Sequence, residues 1–262
     1  MPRKKLPIGI QTLREIREDD HYYVDKTGIA VDLVETGKYY FLSRPRRFGK
    51  SLFVDTLKEL FEGNRALFAG LAAETRWDWD KKYPVIRIRI SFGAGVVDSK
   101  AKLQDSIDGQ LLAHELVWEL QQQHLSINRR FINLIAHAHA HAHAHARSGQ
   151  RVVVLVDEYD KPILDCITDT PLALQVRETL KDLYSVIKDS DAHIRFAFLT
   201  GVCRRRQWLL QLGQRHRLVG IKPPCRLRAG KTTRLIRQRL QPRAQFLAGI
   251  HVFKHQLLMP PA

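Results

Sequence analysis

The sequence predicts an α/β domain in which helices flank a mostly parallel sheet, and three observations carry that prediction. Short apolar runs recur at residues 38–43, 85–90, 151–156 and 194–199. Segments with apolar residues at steps of three and four lie between them. The run Arg151-Val-Val-Val-Leu-Val156 is nearly continuous, as in a strand buried on both faces of a parallel sheet. With 262 residues and 44% hydrophobic content, the chain can bury one large core, alone or with an appendage.

Residues 1–37 read as a lead-in with one amphipathic segment at 29–34. Residues 38–43 form a buried strand, Arg44-Pro-Arg-Arg-Phe-Gly49 a turn, and 50–61 a helix with Leu52, Phe53, Leu57, Leu60 and Phe61 at helical spacing. Strict alternation at 85–90 gives a strand with Arg87 and Arg89 on its polar face; that face is either solvated or in contact with phosphate. Residues 101–126 read as a helix with Ile107, Leu111 and Trp118 on one side. A further helix spans 171–188, with Leu172, Val176, Leu180, Leu183 and Ile187 on one face. Residues 194–199 make the next strand, ending at Thr200-Gly201. Residues 136–146 are an Ala-His tract carrying five of the twelve histidines (His137, His139, His141, His143 and His145). It reads as a slipped repeat in a tolerant loop; the alternative is a metal site, since imidazole is a common ligand, but period-2 histidines in an irregular loop define no single coordination geometry.

Composition narrows the function classes. No run approaches the ~18 apolar residues of a membrane span, and no apolar stretch follows the basic start. Cys166, Cys203 and Cys225 are too scattered for a disulfide framework or a zinc site, so a reducing, cytoplasmic setting is expected. The net charge of +16 is concentrated at one end. Residues 203–262 hold 14 Lys and Arg and no acid, whereas the first 202 residues hold 29 basic and 27 acidic side chains. The body is close to neutral, and any nucleic-acid partner would meet the tail.

Two segments carry the chemistry. Arg44-Pro-Arg-Arg-Phe-Gly-Lys-Ser51 keeps the Gly-Lys-Ser end of a phosphate-binding P-loop, between a strand and a helix, with Arg44 where the pattern has its first Gly. The backbone of Arg47, Phe48 and Gly49 would cradle phosphates, Lys50 would reach the β- and γ-phosphates of ATP, and the Ser51 hydroxyl would ligate Mg²⁺. About a hundred residues on, an apolar strand ends in Asp157-Glu158, the Walker B arrangement. There Asp157 holds Mg²⁺ and Glu158 polarises the attacking water. Alternatively, Asp-Glu after a strand caps the next helix or starts a turn. Thr200, at the end of a neighbouring strand, is placed to sense the γ-phosphate.

Around these residues the text resembles the AAA-ATPase-like family of bacterial and archaeal proteins. The resemblance is carried by Leu6-Pro-Ile-Gly-Ile10, Tyr22-Tyr-Val-Asp-Lys-Thr27, Tyr39-Tyr-Phe-Leu-Ser-Arg-Pro-Arg-Arg-Phe-Gly-Lys-Ser51, Val153-Val-Leu-Val-Asp-Glu-Tyr-Asp-Lys-Pro-Ile163 and Phe198-Leu-Thr-Gly-Val202. It covers about residues 5–202, so the expected domain is 1–202. The family implies an ASCE-type P-loop core, tolerates Arg at the position of Arg44, and is commonly fused to a PD-(D/E)XK nuclease-like domain. No arrangement of that nuclease type stands out in this chain. After Val202 the family-like text gives way to the basic tail 203–262. It reads either as a frameshifted, truncated or disordered end, or as a basic arm for nucleic acid. Gly230-Lys-Thr-Thr233 mimics a P-loop end but follows no apolar strand.

The expected activity is Mg²⁺-dependent ATP hydrolysis. The competing reading is a truncated, non-catalytic ATPase that acts as an interaction protein. The sequence names neither the coupled process nor the oligomeric state.

Overall fold

The computed structural model describes residues 4–90, 95–121, 125–144, 150–202, 219–220 and 250–252. Its elements run α1 (Leu13–Glu18), α2 (Thr27–Thr36), β1 (Tyr39–Ser43), α3 (Lys50–Phe61), β2 (Val85–Arg89), α4 (Lys100–Val117), α5 (Ile127–Ala144), β3 (Val152–Asp157), α6 (Lys161–Asp165), α7 (Thr170–Asp189), β4 (Ile194–Gly201), β5 (Val219–Gly220) and β6 (Ile250–Val252). Four strands form a parallel sheet in the order β2-β3-β4-β1. Beyond β1, β6 pairs antiparallel with it, and β5 with β6.

Alternation along the strands builds two cores, one on each face of the sheet. Val152, Val154 and Val156 join Ile107, Leu111, Phe131, Leu180 and Leu183 on the face covered by α4, α5 and α7. Val153, Leu155, Phe196 and Phe198 join Leu13, Val31, Phe53 and Leu57 on the face covered by α1, α2 and α3. All six residues of β3 are buried, because helices cover both its faces. The result is the three-layer α/β sandwich expected from the pattern.

The structure corrects two readings. The segment 101–126 is not one helix: α4 stops at Val117, with Trp118 as its C-cap. Glu119 turns left-handed (φ 54°), its N–H donates to Leu116 O, and the Leu120 N–H donates to Glu115 O at 2.9 Å. That pair of bonds is a Schellman stop made without glycine. The Ala-His tract is not a loop: α5 continues through it to Ala144. Alanine is the strongest helix former. Period 2 also places Ala138 and Ala142 on the face already buried by Phe131, Leu134 and Ile135. His145 lies outside the described residues.

β2 is the edge strand of the sheet, and Arg87 on its polar face is paired rather than simply solvated. The Arg87 guanidinium bonds Asp55 of α3 at 2.6 Å, and the Asp55 carboxylate accepts the Leu13 N–H at 2.7 Å, so one buried acid ties β2, α3 and α1 together. From α4, His114 reaches the same strand: its Nε2 lies 3.0 Å from Arg87 O and 3.2 Å from Arg87 N, and its ring stacks on Trp118. Burial pushes the His114 pKa below the ordinary histidine value, against a smaller upward pull from the Arg87 carbonyl. The unfolded chain therefore binds the extra proton first as pH falls, so stability is lost between the ordinary value and the lower folded one. A His114→Gln variant is expected to lose less melting temperature than wild type between pH 7.5 and 5.5. Equal losses would contradict this assignment.

Candidate nucleotide-binding site

The loop between β1 and α3 turns on two left-handed residues, Arg47 (φ 65°) and Gly49 (φ 73°). Glycine adopts this conformation without strain, while a residue with a Cβ pays about 1 kcal/mol or more for it. Such turns direct neighbouring N–H groups to one side, which suits an anion. Phe48, between them, is half exposed, and the Arg44 guanidinium lies 5.9 Å over its ring. Gly49 is also the N-cap of α3, where no side chain caps the helix, so the first-turn N–H groups face the loop.

Lys50 opens α3 and is 6% exposed. Its Nζ donates to Arg44 O at 2.9 Å and Pro45 O at 3.0 Å. Burial lowers the Lys50 pKa, while Asp157, Asp160 and Glu158 act to raise it, in that order. Lys50 and the acids from the end of β3 thus share one electrostatic neighbourhood, brought there by the strand order. Ser51 follows Lys50 in the first turn of α3.

Asp157 is fully buried at the end of β3. Its Oδ1 accepts the Thr200 hydroxyl at 2.6 Å. Its Oδ2 makes no hydrogen bond among the described residues and lies 3.9 Å from Arg89 Nε. Glu158 is left-handed (φ 55°), and its N–H donates to Thr200 Oγ1 at 3.1 Å. The Tyr159 N–H donates to Thr200 O at 2.8 Å. Glu158 is thus a strained non-glycine residue held by its neighbours on β4. The Thr200 hydroxyl, expected from the sequence to sense the γ-phosphate, here donates its single proton to Asp157 and accepts the Glu158 N–H.

Asp160 plays a part that sequence reasoning missed. It is 2% exposed and accepts the Val202 N–H on both carboxylate oxygens, at 3.0 and 2.8 Å. A Cβ on Gly201 would sit 2.8 Å from Asp160 Oδ1 and 2.9 Å from Phe41 Cζ, so only glycine fits there. The Arg44 N–H in turn donates to Gly201 O at 3.1 Å. Residues 200–202 therefore latch the P-loop to the acidic turn. The signal available was an acid two residues past Glu158, at the start of a short helix. Asp160→Ala is expected to cost about 2 kcal/mol by leaving a partly buried N–H without its acceptor. Urea unfolding measures this; an unchanged midpoint would contradict it.

The residues fit a hard divalent cation. Asp157 Oδ2 is a buried carboxylate oxygen with no hydrogen bond among the described residues, and the Ser51 hydroxyl is the other oxygen donor named by the motif. Among the described residues no group of three or more His, Cys, Asp or Glu is arranged to hold a metal. Mg²⁺ needs no such cage, since it takes few protein ligands and completes its shell with phosphate oxygens and water.

The strand between the P-loop strand and the acidic strand, together with the loop positions, defines the class: a P-loop NTPase-like α/β core of the additional-strand type. The profile of the AAA-ATPase-like family, described as predicted AAA-ATPase, matches residues 7–207, and the chain belongs to that family. It is 56% identical over 205 residues to a protein described as "Uncharacterized protein in vnfD 5'region" from Azotobacter chroococcum mcd 1. The match covers 78% of this chain and 38% of that relative, so the chain spans well under half of the relative's length. No solved structure matches. No helix of the described residues is long and apolar enough to cross a membrane. Apart from β5 and β6, the basic segment 203–262 lies outside the described residues, and with it the readings of that segment as a frameshifted end or a nucleic-acid arm.

Proposed function

We propose that this chain binds ATP at the β1–α3 loop and hydrolyses it to ADP and phosphate in a Mg²⁺-dependent reaction. The observation that carries the proposal is the β1–α3 loop, with left-handed Gly49 at the start of α3 and buried Lys50 beside it, set one strand away from the buried Asp157 at the end of β3. The N–H groups of Arg47, Phe48, Gly49 and the first turn of α3 receive the phosphates. Lys50 exchanges the Arg44 and Pro45 carbonyls for phosphate oxygens. Ser51 and Asp157 would hold Mg²⁺, which when bound would supply positive charge to offset that of the phosphates. Glu158 orients a water toward the γ-phosphorus and takes its proton as the new P–O bond forms and the bond to the bridging oxygen breaks. Thr200 keeps Asp157 in place. A cytoplasmic setting, which supplies ATP and keeps the buried Cys166 reduced, accords with this activity.

The test is phosphate release from ATP by the full chain, with Mg²⁺ and with a chelator in its place. Release that needs Mg²⁺ supports the proposal. No release with Mg²⁺, or the same release without it, overturns it.

A further inference from the structure

We infer that Lys26 is a second lysine of the nucleotide site, reaching from the start of α2 to contact a phosphate of the bound nucleotide. This rests on the ATP-binding proposal and adds to it a residue from outside the P-loop. The Lys26 Nζ lies 3.9 Å from the point where a Cβ on Gly49 would sit, so its ammonium lies against the glycine at the turn of the loop.

The backbone that delivers this ammonium is fixed on both sides of it. Tyr23 Oη lies 3.3 Å from Thr56 Oγ1 of α3, which docks the segment onto the helix that follows the P-loop. Asp25 Oδ1 accepts the Thr27 N–H and hydroxyl at 2.8 and 2.7 Å, and Asp25 Oδ2 accepts the Ala72 N–H at 2.8 Å. Thr27 is fully buried, and its Oγ1 accepts the Ala73 N–H at 3.0 Å. Asp25 and Thr27 are thus committed to holding the chain, while the side chain between them turns toward Gly49. The half-buried ammonium has its pKa lowered by burial. A group desolvated in this way gains most from a phosphate charge, because the same burial strengthens the attraction. The geometry also bears on Gly49 itself. Its φ favours glycine, and the Lys26 ammonium lies within van der Waals reach of where a side chain would begin.

The test is calorimetric titration of ATP and of ADP into the full chain and into Lys26→Met, which keeps the aliphatic stem and removes the charge. The expected result is a loss of affinity of about ten- to a hundredfold, the worth of one charge-assisted hydrogen bond, with most of it recovered in Lys26→Arg. Lys26→Met with wild-type affinity, or with a lower melting temperature but unchanged affinity, overturns the inference. A second measurement needs no variant. The rate at which an amine-reactive reagent labels Lys26 in the wild-type chain, read by mass spectrometry, should fall when ATP or ADP is added and stay unchanged with adenosine. Equal labelling with and without ATP overturns the inference. A wild-type chain that binds no ATP overturns the proposal beneath it instead.

Discussion

Glu158→Gln is expected to keep ATP affinity within a few-fold of wild type and to lose ATP turnover by about a hundredfold or more. The substitution changes one oxygen to an NH₂ and leaves size and backbone demands nearly the same. Glu158 sits left-handed, with its N–H on Thr200 Oγ1, and both features survive in glutamine. What is lost is the carboxylate that, in the proposed mechanism, accepts a proton from water. Removing a general base costs on the order of 10²–10⁴ in rate, whereas a carboxylate on the water side of the site adds little to phosphate affinity. Single-turnover phosphate release at saturating ATP, paired with a binding titration, separates the two effects. Wild-type turnover in the variant would assign Glu158 to the alternative read from the sequence, a residue that only starts the turn into α6.

Lys50→Ala is expected to abolish measurable ATP binding, a loss of about 2–5 kcal/mol or roughly 30- to several-thousand-fold in affinity. The ammonium is buried, and the acids around it do not bond it directly: its donors go to the Arg44 and Pro45 carbonyls. These neutral acceptors are poorer partners than phosphate oxygens, so the lysine has most to gain when nucleotide arrives. Removing it leaves two carbonyls without that donor, but also removes a buried charge. The ligand-free protein is therefore expected to change little in stability while the site fails. Wild-type stability in the variant confirms that the loss of affinity is local.

Much of the fold was legible because its signals are strong and local. The run at 151–156 could be placed as a strand covered on both faces from its unbroken apolar text. The limits of α3 followed from Gly49 at one end and apolar spacing to Phe61 at the other. Other features depended on long-range geometry or on an unusual local choice. Glu119 ends α4 in a conformation usually given to glycine, so nothing in its chemistry marked the stop. The Ala-His tract looked irregular by period 2, yet the same alanines fill the α5 stripe begun at Phe131. At the candidate site, Lys50, Ser51, Asp157 and Glu158 were singled out by motif spacing, and the strand order places their segments at neighbouring strand ends. The bond from the Thr200 hydroxyl to Asp157 was not legible, because only the β3–β4 register brings the two together. Asp160 and Lys26 were quoted within longer strings without a part in the site. Each meets it through a contact between segments far apart in sequence, at Val202 and Gly49 respectively.

The most direct test is a calorimetric titration of ATP, with Mg²⁺ present, into the wild-type chain and into Lys50→Ala under the same conditions. The β1–α3 loop as nucleotide site predicts a single saturable site in wild type and no binding heat in the variant. Equal affinity in the two proteins would contradict it.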